Sequence, residues 1–107
     1  MKLLTTRLEN QFPKTTYGEY QQGKPADEKK IYCKFFTPWS NWTWYAMEYD
    51  PIEKMFFGYV KGFYEDEYGY FSLDELESLK GPFGARVERD CYWRATTVKD
   101  MKVLGNE

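Results

Sequence analysis

Residues 31–63 decide the fold, and they read IYCKFF-TPWSN-WTWYAMEY-DPIE-KMFFGYVKGF. Three runs rich in aromatic and β-branched residues alternate with short segments that contain Pro, Asn or Asp, a pattern typical of strands joined by tight turns. The sequence therefore predicts strands over residues 31–36, 42–49 and 54–63. Their connections are too short for parallel crossovers, so we expect an antiparallel meander.

Two helices flank this sheet in the sequence. The first is predicted over residues 3–12, behind a cap at Thr5 or Thr6, because its apolar side chains recur at helical spacing: Leu4, Leu8 and Phe12. The second is predicted over about residues 73–80, where Ser72 and Glu75 match a capping box and Gly81 ends the helix. A final helical turn is expected at residues 97–101.

Two more strands complete the expected sheet. Residues 64–68 form an acidic hairpin tip, a return strand begins at Tyr70, and a last strand covers residues 87–94. The fold class is therefore α+β: a small antiparallel sheet of four to five strands with a short N-terminal helix and a helix at about 73–80. We expect a single domain over residues 1–107. The helices bury one aromatic face, which leaves the other face, or the hairpin tip, for a partner.

Two glycines in the third predicted strand, Gly58 and Gly62, fall on the same face. This spacing predicts either a close approach of backbones or a large side chain packed over the glycines.

The composition argues against most catalytic chemistry. The chain is 21% aromatic and contains no histidine, so it lacks the usual general base and the commonest metal ligand. Its two cysteines, Cys33 and Cys91, are predicted to be buried free thiols in strands, and they are too few for a zinc site built on cysteines. We therefore expect no enzymatic activity, no catalytic residue, no metal and no cofactor.

The sequence also lacks the marks of secretion or membrane insertion. No hydrophobic N-terminal stretch resembles a signal peptide, and no run approaches the ~20 apolar residues of a membrane span. These features predict a cytoplasmic protein with reduced thiols and no membrane partner, and they leave its oligomeric state open.

Charge is distributed unevenly along the chain. Residues 48–77 hold nine Asp or Glu and two Lys, whereas the whole chain has a net charge of −2. This acidic segment favours a basic protein partner over nucleic acid, and Glu65, Asp66 and Glu67 in the hairpin tip are its candidate contacts. A solvated acidic turn is the alternative.

Glu48 is the most informative single acid. The alternation of the second predicted strand puts it on the same face as Trp42 and Trp44, where burial would raise its pKa. A carboxylate enzyme using Glu48 is the weakest hypothesis, and a strand-end glutamate paired with Lys or Arg is the alternative.

Three aromatic residues are the other candidate contacts: Trp39, Trp42 and Tyr45. Exposed rings on a sheet can stack on the bases of a single strand, provided that cations beside them follow the phosphates. Trp39 lies in a predicted turn, so it is the ring that we expect to be exposed. Core packing of at least two rings in this segment is the alternative.

Several motifs resemble those of the family called domain of unknown function 2958, and they span nearly the whole chain. At the N terminus they are Leu3-Leu4-Thr5, Leu8 and Phe12-Pro13. In the predicted sheet they are Phe35-Phe36-Thr37-Pro38, Trp42-Thr43-Trp44-Tyr45, Glu48 and Phe56-Phe57-Gly58. Beyond it they are Gly69-Tyr70-Phe71-Ser72-Leu73, Glu75-Leu76, Gly81-Pro82-Phe83-Gly84 and Val87-Glu88-Arg89-Asp90. The acidic stretch at 64–68 and Cys91-Tyr92-Trp93 depart from the pattern.

The resemblance implies a small accessory protein of plasmids, phages and integrative elements, and it carries no assigned reaction. The leading hypothesis is non-enzymatic binding to a protein, with inhibition of a host defence nuclease (anti-CRISPR or anti-restriction) as its most specific form. The expected partner is a basic nucleic-acid-binding complex. The alternative is a single-stranded nucleic-acid-binding domain that uses exposed aromatic residues.

Overall fold

A five-stranded antiparallel sheet forms the centre of the computed structural model, which describes residues 2–13, 24–62 and 65–104. Its strands are β1 (Cys33–Phe36), β2 (Thr43–Asp50), β3 (Met55–Lys61), β4 (Asp66–Ser72) and β5 (Glu88–Arg89). They lie in the order β4-β3-β2-β1-β5. The first four strands are the predicted meander, and β5 adds beside β1. The predicted α+β class is thereby confirmed.

Three short helices accompany the sheet: α1 (Thr6–Glu9), α2 (Leu73–Ser78) and α3 (Val98–Leu104). The predicted caps are present, since the Leu8 amide donates to Thr5 Oγ1 and the Glu75 amide donates to Ser72 Oγ, each at 3.2 Å. Helices α1 and α2 are shorter than the sequence predicts. None of the described helices is both long and apolar enough to cross a membrane.

The first face of the sheet packs against the N-terminal segment and α2. We call this cluster the first core, and its largest side chains are Leu3, Leu4, Phe12, Phe35, Trp44, Tyr49, Phe56, Phe71, Leu76 and Val87. The rings of Phe35 and Phe71 both lie within 5.5 Å of the Phe56 ring, centroid to centroid. Burial of so many large rings supplies most of the hydrophobic stabilisation on this side.

The second face is covered too, by α3 and by a 3-10 turn at Ala26–Glu28. We call this cluster the second core, and it comprises Ile31, Tyr45, Met47, Phe57, Tyr59, Val98 and Met101. The Ile31 amide donates to the Thr96 carbonyl at 2.7 Å, which joins the segment before β1 to the segment before α3. The expectation that one whole sheet face is left for a partner is therefore wrong, because α3 buries part of it.

A β-bulge in β2 reverses the alternation of its side chains. The pairing of β2 with β3 shifts between Ala46 and Glu48, leaving Met47 as the extra residue. Trp44 belongs to the first core, but Glu48 lies opposite Phe57, a residue of the second core. The prediction that Glu48 and Trp44 share a face is therefore wrong, because one inserted residue moves every later side chain to the other face.

Gly58 in β3 and Gly62 just after it are required by different contacts. A Cβ at Gly58 would clash with the carbonyl oxygen of Tyr45 in β2, whereas a Cβ at Gly62 would lie 2.8 Å from the Trp42 ring. Close backbone approach therefore explains Gly58, and a large packed side chain explains Gly62.

The predicted last strand over residues 87–94 is mostly wrong, since β5 contains two residues. Asp90 ends it, because its carboxylate accepts from the Tyr92 amide at 2.9 Å and so closes a local turn. Cys91 lies in that turn and is exposed, whereas Cys33 is buried as predicted.

Candidate functional site

Exposed carboxylates line the outer side of the sheet at β4, an edge strand. They belong to β4, α2 and the turn before β3: Glu53, Glu65, Asp66, Glu67, Asp74, Glu75 and Glu77. We call this surface the acidic edge. Three lysines are interspersed with it, Lys54, Lys61 and Lys80. Arg86, whose Nη1 donates to the Glu77 carbonyl, adds a fourth cation, so the surface keeps an excess of negative charge although the chain is nearly neutral.

The β2–β3 turn contacts the acidic edge at the end where α2 begins. The Leu73 amide donates to the Lys54 carbonyl at 3.0 Å, which fixes the start of α2 beside this turn. Lys54 Nζ lies 4.0 Å from Asp74 Oδ1, but both side chains are more than half exposed. An ion pair of this kind contributes little, so it leaves most of the negative potential in place.

The structure of the hairpin tip differs in detail from the prediction. Asp66 and Glu67 lie in β4 instead of a loop, since Asp66 pairs with Lys61 and Glu67 with Val60. Residue 64, the predicted start of the tip, lies outside the described residues. Tyr59 donates its hydroxyl hydrogen to Asp66 Oδ2 at 3.2 Å, which orients this carboxylate. All three predicted acids are exposed.

Phe83 projects fully into solvent from the loop that follows α2. Its relative exposure is 107%, and its backbone adopts φ 57° and ψ 31°, in the left-handed region that bulky residues rarely occupy. The loop is closed behind it by the Gly81 amide, which donates to the Ala85 carbonyl at 2.8 Å. The unusual backbone at Phe83 makes this ring a candidate contact for a partner.

Trp39 packs against the same loop and is not the exposed ring that the sequence predicts. It is half-buried and packs against the first core. A Cβ at Gly81 would clash with the Trp39 ring, so the glycine makes room for it. The ring therefore positions the Phe83 loop, and a contact of Trp39 with a partner stays a prediction.

A concave surface of about 820 Å³ lies at the far end of the sheet, where β2 begins and β3 ends. We call it the aromatic cleft, and the side chains used below are Lys34, Phe36, Trp42, Tyr45, Lys61 and Tyr92. Its volume falls in the ~300–1,000 Å³ range of ligand sites. Of the predicted site residues, the cleft contains Trp42 and Tyr45.

Trp42 and Tyr92 are the exposed rings of the cleft. Trp42 is 39% exposed and stacks on Trp44 with centroids 6.1 Å apart, while Tyr92 is 93% exposed. Tyr45 is 2% exposed, so the prediction that it forms a contact surface is wrong. Its ring is covered by Trp93, at 5.7 Å, and by Tyr59.

Three basic side chains line the cleft. Lys34 Nζ lies 6.0 Å from the centroid of the Tyr45 ring, and Lys61 stands at the end of β3. Among the described residues, neither lysine forms an ion pair within 4.0 Å. Arg89 is engaged already, because its Nη1 donates to the carbonyls of Lys2 and Leu3 at 2.8 and 2.7 Å.

Glu48 forms a buried ion pair away from both surfaces. Its Oε2 accepts from Lys29 Nζ at 2.8 Å, and the two side chains are 2% and 3% exposed. The alternative of a glutamate paired with lysine thus describes it well, although it is buried instead of lying at a strand end. Among the described residues, no cluster of three His, Cys, Asp or Glu side chains is placed to hold a metal ion.

Among the residues that the structure describes, sequence reasoning misses the two most exposed aromatic side chains, Phe83 and Tyr92. Each had a local signal, since Phe83 stands between Pro82 and Gly84 and Tyr92 follows Asp90 by two residues. Proline, glycine and aspartate are turn formers, so both rings could have been placed in turns, where side chains are more often exposed.

The comparisons with known proteins give one match. The sequence model of the family described as protein of unknown function (DUF2958) matches residues 3–101. No curated protein and no solved structure matches the chain.

Proposed function

The chain belongs to the family described as protein of unknown function (DUF2958), and from this premise we propose that it acts without catalysis, by docking its acidic edge on a basic protein surface. One observation carries the proposal: seven exposed carboxylates follow the outer strand and the segments on either side of it. Like charges that are concentrated on one side steer a partner of opposite charge and speed its association.

Phe83 supplies the apolar contact that charge alone lacks. Charged groups mainly set association rate and specificity, whereas affinity concentrates in a few large side chains that become desolvated. Phe83 follows α2 by five residues and is fully exposed. Its strained backbone costs folding free energy that burial of the ring in a partner pocket would offset.

A basic nucleic-acid-binding complex is the partner class that fits this surface. Its nucleic-acid channel presents the clustered lysines and arginines that exposed carboxylates match. The mobile-element setting that the family resemblance implies makes a host defence nuclease, of a CRISPR or restriction system, our preferred partner, and inhibition the preferred outcome.

Charge reversal tests the proposal. The purified chain, immobilised, is used to capture proteins from a bacterial lysate, and basic nucleic-acid-binding proteins are quantified by mass spectrometry. Glu65→Lys with Glu67→Lys should reduce their capture at least tenfold at low salt, with a smaller reduction at high salt because exposed charges are screened. This pair leaves the bond from Tyr59 to Asp66 intact. Phe83→Ala should also reduce capture, at every salt concentration.

The matched control is Glu28→Lys with Asp100→Lys. Both residues are exposed and lie outside the acidic edge, in the 3-10 turn and in α3, and the change in net charge is the same. Equal losses in the two double variants would mean that only net charge matters. That result, or full retention in the Glu65 and Glu67 variant, would refute docking through the acidic edge.

A further inference from the structure

We propose that the aromatic cleft is a second binding site, specific for single-stranded nucleic acid. Its lining includes no residue of α2 or of the Phe83 loop, and it combines exposed rings with basic side chains in one concavity. This site goes beyond protein docking at the acidic edge. Its ligand class is a chain of unpaired bases joined by phosphodiesters, which both DNA and RNA provide.

The rings provide stacking surfaces for unpaired bases. Tyr92 is 93% exposed in a turn that the Asp90 carboxylate fixes by accepting from its amide, so the backbone beneath the ring is held in place. Trp42 is supported from behind, because it stacks on Trp44 and lies over Gly62. Stacking of a base on an aromatic side chain tolerates every base, since each has a π face.

The lysines provide the contacts to phosphates. Lys34 in β1 and Lys61 at the end of β3 lie on the two sides of β2, and both line the cleft. Their cross-strand partners in β2 are Tyr45 and Thr43, two residues apart on one strand face. A strand of nucleic acid that crosses β2 would therefore meet a cation on each side of it.

Single strands are favoured over duplexes for two reasons. Stacking on Trp42 or Tyr92 requires bases that are not already stacked in a helix. Duplex binding without stacking depends on a broad basic face that neutralises many phosphates. The cleft offers two lysines besides Arg89, whose guanidinium is held by the N-terminal segment. Affinity must therefore come largely from the rings.

Fluorescence anisotropy with purified full-length protein tests the proposal. The probes are labelled oligo(dT) and oligo(rU) of about 12 nucleotides, within the ~4–16 nucleotides of comparable sites, and a duplex of the same length. We expect micromolar binding of at least one single strand and at least tenfold weaker binding of the duplex. The dT and rU probes show whether DNA or RNA is preferred. With two lysines engaged, log K should fall against log salt with a slope of about −1.4.

Variants locate the binding in the cleft. Tyr92→Ala should weaken it about fivefold or more, the lower end for losing one stacked base, and Lys61→Gln should weaken it and flatten the salt dependence. The matched controls are Ile52→Ala and Lys99→Gln, which alter an exposed apolar and an exposed basic side chain outside the cleft. Both controls should bind as the original chain does. Circular dichroism confirms that each variant is folded.

Several outcomes would overturn the proposal. They are no binding at micromolar protein, equal binding of the duplex, or equal losses in the cleft variants and the controls. The assay uses purified protein without a partner, so its failure leaves docking at the acidic edge untouched. Conversely, loss of protein capture in the Glu65 and Glu67 variant says nothing about the cleft.

Discussion

At the scale of single residues, the ion pair between Lys29 and Glu48 is the polar contact on which the stability of the fold depends most. Two side chains that are almost completely shielded from water carry full charges 2.8 Å apart. Burying one such charge without the other would cost several kcal/mol, roughly the stability margin of a small protein. The pair therefore ties the segment before β1 to β2.

Removing either partner should be strongly destabilising. Glu48→Gln or Lys29→Met is expected to lower the free energy of unfolding by about 3–5 kcal/mol, because each leaves one buried charge uncompensated. The double variant should lose much less than the sum of the two. Urea denaturation of all four proteins in a double-mutant cycle measures the coupling.

An exposed pair provides the comparison. Lys54→Met breaks the contact to Asp74, where both side chains are solvated, and should cost less than about 1 kcal/mol. Strict additivity of the Lys29 and Glu48 effects would contradict a coupled buried pair.

At the scale of elements, the meander and both helix caps follow from sequence because their causes are local. Aromatic and β-branched runs favour strands, and Ser72 caps α2 through a bond within its first turn. The short β5 and the face of Glu48 do not follow. The end of β5 has a local cause that the prediction overlooked, the Asp90 side chain, whereas the bulge at Met47 depends on how β2 and β3 are paired.

Prediction of the site is limited for the same reason, because only features with a local cause can be inferred from the sequence. Exposure of Glu65, Asp66 and Glu67 follows from their charge, and all three are exposed. The state of Trp39 and Tyr45 depends on what packs over them, which is Gly81 and Trp93 from distant parts of the chain. The aromatic cleft joins β1, β2, β3 and the turn after β5, so no single stretch of sequence encodes it.

The cap of α2 can be tested directly. Ser72→Ala removes the acceptor for the Glu75 amide and should lower the free energy of unfolding by about 1 kcal/mol. Ser72→Asp should retain most of the stability, because aspartate also accepts this bond. Thermal and urea denaturation measure both. If alanine and aspartate were equally destabilising, the cap would not be the cause.

At the scale of the whole molecule, burial of weakly acidic groups sets an alkaline limit to stability. Burial raises the pKa of the Cys33 thiol above its ordinary value of 9.0. Burial, with a smaller contribution from nearby carboxylates, raises the pKa of Tyr49 from 10.0 to about 12. Burial and Asp27 also raise the pKa of Tyr68. All three groups are held neutral by the fold.

Stability should therefore be constant near neutral pH and fall as the solution becomes alkaline. The unfolded chain ionises first, since its thiol and phenol pKa values lie at about 9 and 10, while the folded chain still holds the protons. Each group then removes up to about 1.4 kcal/mol per pH unit until its folded pKa is passed. Urea midpoints between about pH 7 and pH 12 measure this loss.

Tyr49→Phe should make the decline above about pH 10 shallower, because it removes one of the protons that the fold retains. Tyr92→Phe is the control, since it removes the same hydroxyl group from a tyrosine side chain that is exposed. An unchanged alkaline slope in Tyr49→Phe would show that the Tyr49 phenol is not responsible.

The position of β5 next to β1 has a consequence for how the chain matures. Phe35 and Arg89 are neighbours across these strands, and Ile31 is bonded to Thr96, so the contacts at this edge of the sheet join segments more than fifty residues apart. During translation, the meander emerges from the ribosome with its β1 edge open as well as its β4 edge, and with one aromatic surface still uncovered. Until residues 88–101 follow, it remains a candidate for chaperone capture or for pairing with another nascent sheet.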